Sequence, residues 1–401
     1  MTRAERTYYL LYALYAGSWA FLTPVYPVFL LARGLDLFQI NVVFAVYLIG
    51  AFAFEVPTGA VADLAGRRVS FLLSCVLRAT AFAMYWRARD FSDCIIAEFV
   101  DALGTTLATG ALDAWAVDGR RAEGDDRPAG AMFARAQMLA APLVMACGLA
   151  GAYAADAEIS RPWLCGTAGF VVTGLSAVLV MREAPRSAPW RSGLLRSWAR
   201  MSGEGLAIVA RTPVLLTLCG LTAAASFAVM PAWHYWPARL QGLSGVRIWM
   251  LGWIWVLIAL ASMGGNALLP RLVPRFRAER VLAIACLCRS VTLGAAAASL
   301  AFAPNLVAVL TLQAVRGLSD PALQGWMNEN VDSDLRATVL SVRSMAFTLG
   351  GGLGLLSLGL VARSGGISAA WGVSAVLLLA IAPGFLLLAR PRLRAAVSCS
   401  G

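Results

Sequence analysis

Twelve apolar runs follow one another along this chain, and each is long enough to cross the hydrocarbon of a bilayer. They fall near residues 7–32, 40–62, 69–87, 92–117, 131–155, 162–182, 213–238, 247–270, 280–303, 305–327, 336–362 and 368–389. About 20 helical residues cross ~30 Å of hydrocarbon. Lipid offers backbone polar groups no partner, so each run must satisfy its own as a helix. Only 14% of the 401 residues are charged, against about 25% in a soluble domain. The expected fold class is therefore all-α integral membrane, with twelve transmembrane spans. The first run is too long for the core of a cleaved signal, and no small-residue cleavage site follows it.

What is missing narrows the chemistry. All 33 basic residues are Arg, with no Lys. A Walker-type phosphate loop needs its Lys, and a retinal or pyridoxal Schiff base needs one too. The eight cysteines are scattered without CxxC spacing and read as small packing residues. His234 is the sole histidine, too few for a histidine metal site. No cofactor, no metal and no enzymatic activity are expected. The net charge of +11 is carried largely between apolar runs, where anionic lipid is a better partner than nucleic acid.

Arginine also orients the chain. The N-terminus, the even-to-odd loops and the C-terminus hold 21 arginines, while the opposite loops hold seven: Arg33, Arg87, Arg89, Arg161, Arg239, Arg247 and Arg363. By the positive-inside rule both termini are cytoplasmic, in a cell (inner or plasma) membrane. The longest connection, 183–212, divides the spans six and six, giving units of 1–182 and 213–401. Within it Leu194, Leu195, Trp198, Met201 and Ile208 gather opposite Arg196 and Arg200, the pattern of a helix lying on the membrane face or of an ordinary linker helix.

After span 2 the chain reads Glu55-Val-Pro-Thr-Gly59-Ala-Val-Ala-Asp63-Leu-Ala-Gly66-Arg67-Arg68. Small residues permit a tight reversal and close helix approach, with one acid and two arginines in the headgroup layer. This segment resembles the signature loop of the major facilitator superfamily, G-x-x-x-D-R-x-G-R-R, although Leu64 stands where a basic residue is usual. Thr109 to Asp118 is similar to the end of helix 4 in an efflux-like branch, and Arg316 to Ser341 resembles that branch's helix 10–11 junction. The halves echo one another: Trp115 parallels Trp326, and Arg135 parallels Arg343. Span 5 keeps Pro142 but not the glycines typical of proton-driven drug antiporters. The efflux-like junctions put export first, and the missing glycines keep uptake open. The resemblance implies two six-helix bundles with alternating access around a midplane cavity. It also implies a gating loop of Gly59, Asp63, Gly66, Arg67 and Arg68, with Asp63 facing the start of span 11 and an arginine reaching Asp118.

Three faces could line such a cavity. On span 1, Tyr8, Tyr12, Tyr15, Trp19 and Tyr26 fall within roughly a 60° arc. An interfacial belt would explain the ends of that stripe but not Tyr15 and Trp19. On span 4, Glu98, Asp101, Thr105, Thr109 and Asp113 share roughly a 120° arc. On span 10, Gln313, Arg316, Asp320 and Gln324 share about 80°. Intramembrane carboxyls usually face water or a counter-charge. Asp113 is the first candidate for proton coupling, then Glu55, Asp101 and Glu98, with Arg78 and Arg135 as counter-charges for Glu55. Static ion pairs are the alternative, for Arg316 with Asp320 as well. Trp233-His234-Tyr235-Trp236 is expected to be an outer interfacial anchor, with a substrate or proton role as the alternative.

The functional expectation is a secondary transporter, most simply a proton-coupled exporter of a small amphipathic organic molecule, neutral or cationic. An uptake permease for a metabolite or metal-chelate is the alternative, and a membrane sensor or enzyme a remote one. The expected partners are a small-molecule substrate, protons and membrane lipids, with the chain acting as a monomer.

Overall fold

The computed structural model describes residues 1–182, 207–243, 245–331 and 333–389. The surface helix expected within 183–212 lies largely outside these, as do the side chain of Asp63 and the tail after 389.

The described residues form helices without a strand. In chain order they are α1 (Arg3–Ala20), α2 (Tyr26–Ala32), α3 (Leu37–Ala65), α4 (Arg67–Arg87), α5 (Phe91–Ala108), α6 (Ala111–Ala122), α7 (Gly130–Ala157) and α8 (Arg161–Val180). Then come α9 (Pro213–Gln241), α10 (Ile248–Phe276), α11 (Ala278–Ala297), α12 (Phe302–Asn330) and α13 (Ser333–Ile381), ending in a 3₁₀ turn, Ala382–Ala389. Among the described residues ten stretches are long and apolar enough to cross a membrane. The difference from twelve has two causes. Span 1 opens with Arg3, Glu5 and Arg6 and breaks early, and spans 11 and 12 run together in α13 across a kink at Gly366, where φ is 75°.

Two spans expected to be continuous are broken. Span 1 stops after Ala20 and restarts at Tyr26, between Pro24 and Pro27. Proline supplies no N–H and clashes with the preceding turn, so Tyr26 leaves the stripe that Tyr8, Tyr12, Tyr15 and Trp19 share on α1. Span 4 breaks at Thr109–Gly110, and Gly110 has φ of 74°. Asp113 therefore opens a new helix and does not continue the face of Glu98 and Asp101. Between α3 and α4 a single residue, Gly66, makes the reversal at φ of 105°, a conformation only glycine adopts without strain.

The chain forms two compact units. The first holds Met1–Leu35, Val43–Leu195 and Val246–Val256, and the second Asp36–Val42, Arg196–Gly245 and Leu257–Gly401. The first unit buries Tyr8, Leu11, Phe71, Leu112, Trp115, Met132 and Ala136 in one cluster contributed by α1, α4, α6 and α7. In the second, α9 and α13 meet backbone to backbone. A Cβ on Gly350 would lie 2.1 Å from the Ala223 carbonyl oxygen, and one on Gly354 2.2 Å from that of Phe227. Small residues one turn apart are how membrane helices approach this closely. The units repeat one another in chain order: Gly66 and Arg277, Arg78 and Arg289, Asp101 and Leu312, and Trp115 and Trp326 stand at one constant separation.

Candidate functional site

At the α3–α4 corner, Gly66 turns the chain so that Arg67 opens α4. Its guanidinium forms an ion pair with Asp118 of α6 and donates to the Ala114 carbonyl at 2.6 Å. Arg68 donates to the Val178 carbonyl of α8 at 2.7 Å. Gly59 is exposed on α3. The start of α13 is tied back to α12 through Arg336, which donates to the carbonyls of Asn328 and Val331 at 3.0 and 3.2 Å.

The interior of the first unit holds three carboxyls in three different settings. Asp101 is buried and receives two parallel bonds from Arg78, at 2.8 and 3.1 Å. Arg78 is thus the partner of Asp101 and not of Glu55, as the sequence suggested. Its guanidinium also lies 4.5 Å from the centroid of Phe170 and 5.2 Å from that of Tyr15. A charge held this way is neutralised in place. Glu98, also buried, meets two phenols: Tyr26 and Tyr85 donate to one of its oxygens at 2.7 and 2.6 Å, and Trp163 stacks on Tyr85 at 4.0 Å. Tyr85, invisible on any one helical wheel, is the residue that sequence reasoning missed here. Asp113 accepts a 2.7 Å bond from the Tyr8 hydroxyl and is itself exposed. Among the described residues no ion pair involves Glu98, Asp113, Glu55 or Arg135. Glu55 and Arg135 both stand exposed on their helices.

The aromatic face of α1 is divided in the same way. Tyr15 bonds Ser74 at 3.0 Å and packs on Phe71 and Phe170. Tyr12 is half-buried beside Tyr8, and Trp19 is 43% exposed. Thr109, at the break in span 4, bonds back to the Thr105 carbonyl at 2.7 Å.

In the second unit Arg316 and Asp320 approach to 3.5 Å across one turn of α12. Both are open, at 49% and 69% side-chain exposure. Gln313 is buried one turn before, and Gln324 is exposed one turn after. Arg316 lies 4.0 Å over the ring of Trp233 on α9. The expected outer anchor is thereby corrected. Trp233 carries a cation on its face, Tyr235 is fully buried and accepts a hydrogen bond from Asn41, and Trp236 is 3% exposed. His234 between them is half-buried.

A sequence profile described as the Major Facilitator Superfamily matches residues 8–296. The uncharacterized MFS-type transporter YxaM of Bacillus subtilis (strain 168) is 23% identical over 377 residues, covering 93% of this chain and 92% of YxaM. The multidrug efflux pump Tap of Mycolicibacterium fortuitum is 29% identical over 247 residues, 59% of this chain and 56% of Tap. The crystal structure of the nucleoside transporter NupG superposes with a TM-score of 0.79 at 12% identity, over 98% of this chain and all of NupG.

Proposed function

From the premise that this chain belongs to the Major Facilitator Superfamily and is a multi-pass membrane transporter, we propose that it couples the export of a small amphipathic organic molecule to protons, with Asp113 as the first proton site. The observation that carries this reading is the 2.7 Å bond from Tyr8 to an exposed Asp113 with no ion-pair partner among the described residues. A coupling carboxyl must reach water and must not be locked by a permanent cation. Asp101 fails the second condition, because Arg78 holds it bidentately. Glu98 meets it with phenols alone and stands second. Asp113 also sits at the first turn of α6, just past the break in span 4.

Tyr8 and Tyr12 stand beside this carboxyl, and Trp19 lies three turns further along α1, aromatic groups that suit a substrate with an apolar body. Export is the preferred direction because the Tap match runs over more than half the chain. Both termini are placed in the cytoplasm on the arginine distribution, and Arg67 with Asp118 forms part of the cytoplasmic gate.

The test is flux in proteoliposomes with and without an imposed pH gradient. Asp113→Asn should abolish gradient-driven movement and keep downhill exchange, and Glu98→Gln should reduce coupling only in part. Full gradient-driven flux in Asp113→Asn would remove Asp113 from the mechanism.

A further inference from the structure

We propose that Arg289, Arg316 and Arg343 of the second unit form a binding site for an anionic group, a carboxylate or phosphate, on the transported molecule. This rests on the transport reading and deepens it, replacing the neutral or cationic solute suggested by the carboxyls of span 4.

The internal repeat carries the argument. Arg78 and Arg289 hold the same place in α4 and α11, each the same distance ahead of its repeat tryptophan, Trp115 or Trp326. In the first unit Asp101 answers Arg78 with two hydrogen bonds. The matching position in the second unit is Leu312, buried and apolar. Arg289 has thus kept the charge and lost the counter-charge. Its Nε is shut away from solvent without a hydrogen-bond partner, and so is the Nε of Arg343 on α13. Among the described residues neither arginine has a carboxylate within ion-pair distance.

Asp320 is the carboxylate whose charge reaches both of them, and it lies 3.5 Å from Arg316. Arg316 alone pairs with Asp320, and Arg289 and Arg343 feel its charge without contacting it. Buried polar groups are paired in native proteins, and an exception needs an account. Arg239 shows what a structural arginine looks like in this unit: it is bonded to the Asn305 side chain and to the carbonyls of Ala296 and Ser299. Arg289 and Arg343 have no such set. A guanidinium fork matches carboxylate and phosphate oxygens in geometry as well as charge, so an incoming anion completes what the fold leaves open. Trp233, under Arg316 at 4.0 Å, offers the apolar wall for the rest of the ligand.

The site is tested by equilibrium binding to the full chain in phosphatidylcholine nanodiscs, with four probes of one shape: 2-naphthoate, 2-naphthyl phosphate, 2-naphthamide and 2-naphthylmethylammonium. At least one anion should bind ten-fold or more tighter than the amide and the cation. Arg289→Gln and Arg343→Gln should each remove most of that preference. Leu312→Asp retains all three arginines and gives Arg289 the carboxylate that Arg78 already has. It should erase the preference in a protein whose folding does not depend on losing an arginine. Equal binding of all four probes, no anion binding, or an anion preference untouched by all three variants overturns the proposal. Adding phosphatidylglycerol to the discs separates sources: competition assigns the site to a lipid headgroup, and its absence to a free solute. Anion binding that survives in Asp113→Asn, where driven flux is lost, supports the arginine site independently of coupling. Driven flux in a wild-type chain without anion preference sinks this site alone.

Discussion

Arg277 is the positive-φ residue other than glycine among those described, at φ of 62° and ψ of 149°. It occupies the corner between α10 and α11 that Gly66 occupies between α3 and α4. A side chain there costs on the order of 1–3 kcal/mol, and its 3.6 Å contact with Glu279 comes from a 67% exposed arginine, which returns little. Arg277→Gly should therefore raise the melting temperature of the detergent-purified protein, and an unchanged or lower value would show that the corner is not strained. The buried pair of Arg78 and Asp101 behaves oppositely. Asp101→Asn strands a buried guanidinium and should cost about 3–5 kcal/mol, whereas the double variant Arg78→Leu with Asp101→Leu should recover most of that loss in the same melt. Equal destabilisation by the single and the double change would mean that the pair contributes more than mutual neutralisation. At this scale the sequence was legible in part. Helical spacing showed that Asp101 lies on a polar face, but spacing carries no information about which neighbouring helix faces it, so Arg78 was matched to Glu55. Arg289, flanked by Cys288 and Ser290 in an apolar run, gave no periodic signal. Its meaning appeared only once Asp101 was seen on Arg78 and Leu312 was found in the corresponding place.

Among the elements, the connection between α6 and α7 shows how loop charge fixes a helix end. Glu123 accepts hydrogen bonds from the backbone N–H groups of Arg3 and Ala4 at 2.7 and 3.0 Å, and Thr2 with Glu5 closes a capping box on the same turn of α1. Arg120, buried to 3% exposure, joins Glu5 at 3.8 Å and Asp125 at 3.1 Å. Hydrogen bonds from the Arg127 guanidinium, with Arg120 beside it, hold the Asp125 carboxyl well below the usual carboxylate range. A carboxyl with a depressed folded pKa stabilises the fold above its unfolded value, ~3.9 for Asp, and that contribution fades as pH falls through the folded value. Thermal stability should thus be level with respect to this group from pH 7 to 5 and drop below about pH 4. Asp125→Asn should flatten part of the acid-side drop, and an identical acid profile in that variant would clear Asp125 of the role. The spans themselves were legible because hydrocarbon thickness sets a length that apolar runs must match. Their breaks were less so. Pro24 and Gly110 are ordinary inside membrane helices, and only the backbone shows that α1 and α5 end beside them. The capping of α1 by Glu123 joins residues far apart in the chain, and local pattern is silent on that.

For the whole molecule, arginine is the one cationic side chain available, and its distribution does two jobs. Twenty-eight of the 33 lie at the termini and between spans, 21 on one side and seven on the other. Translocation works against positive charge near span ends, so the proposed orientation puts the richer side in the cytoplasm. The remaining five, Arg78, Arg135, Arg289, Arg316 and Arg343, lie inside spans, where a cation is costly and is retained for a partner. They divide unevenly between the units. The first unit has two arginines, Arg78 and Arg135, to four carboxyls, Glu55, Glu98, Asp101 and Asp113, and the second has three arginines to Asp320. A proton site belongs with the surplus of carboxyls and an anion site with the surplus of guanidinium groups, so the two proposed functions fall on different halves of the repeat. Both depend on the orientation that the loop arginines dictate, because coupling has a direction only relative to the cytoplasm. Four exposed arginines test that orientation. In a background with the native cysteines replaced by Ser or Ala, Arg89→Cys and Arg161→Cys should react with an impermeant maleimide in intact cells. Arg121→Cys and Arg275→Cys should react only after the membrane is opened. The inverse pattern would invert the chain in the bilayer and, with it, the side from which the proposed Asp113 site would take its proton.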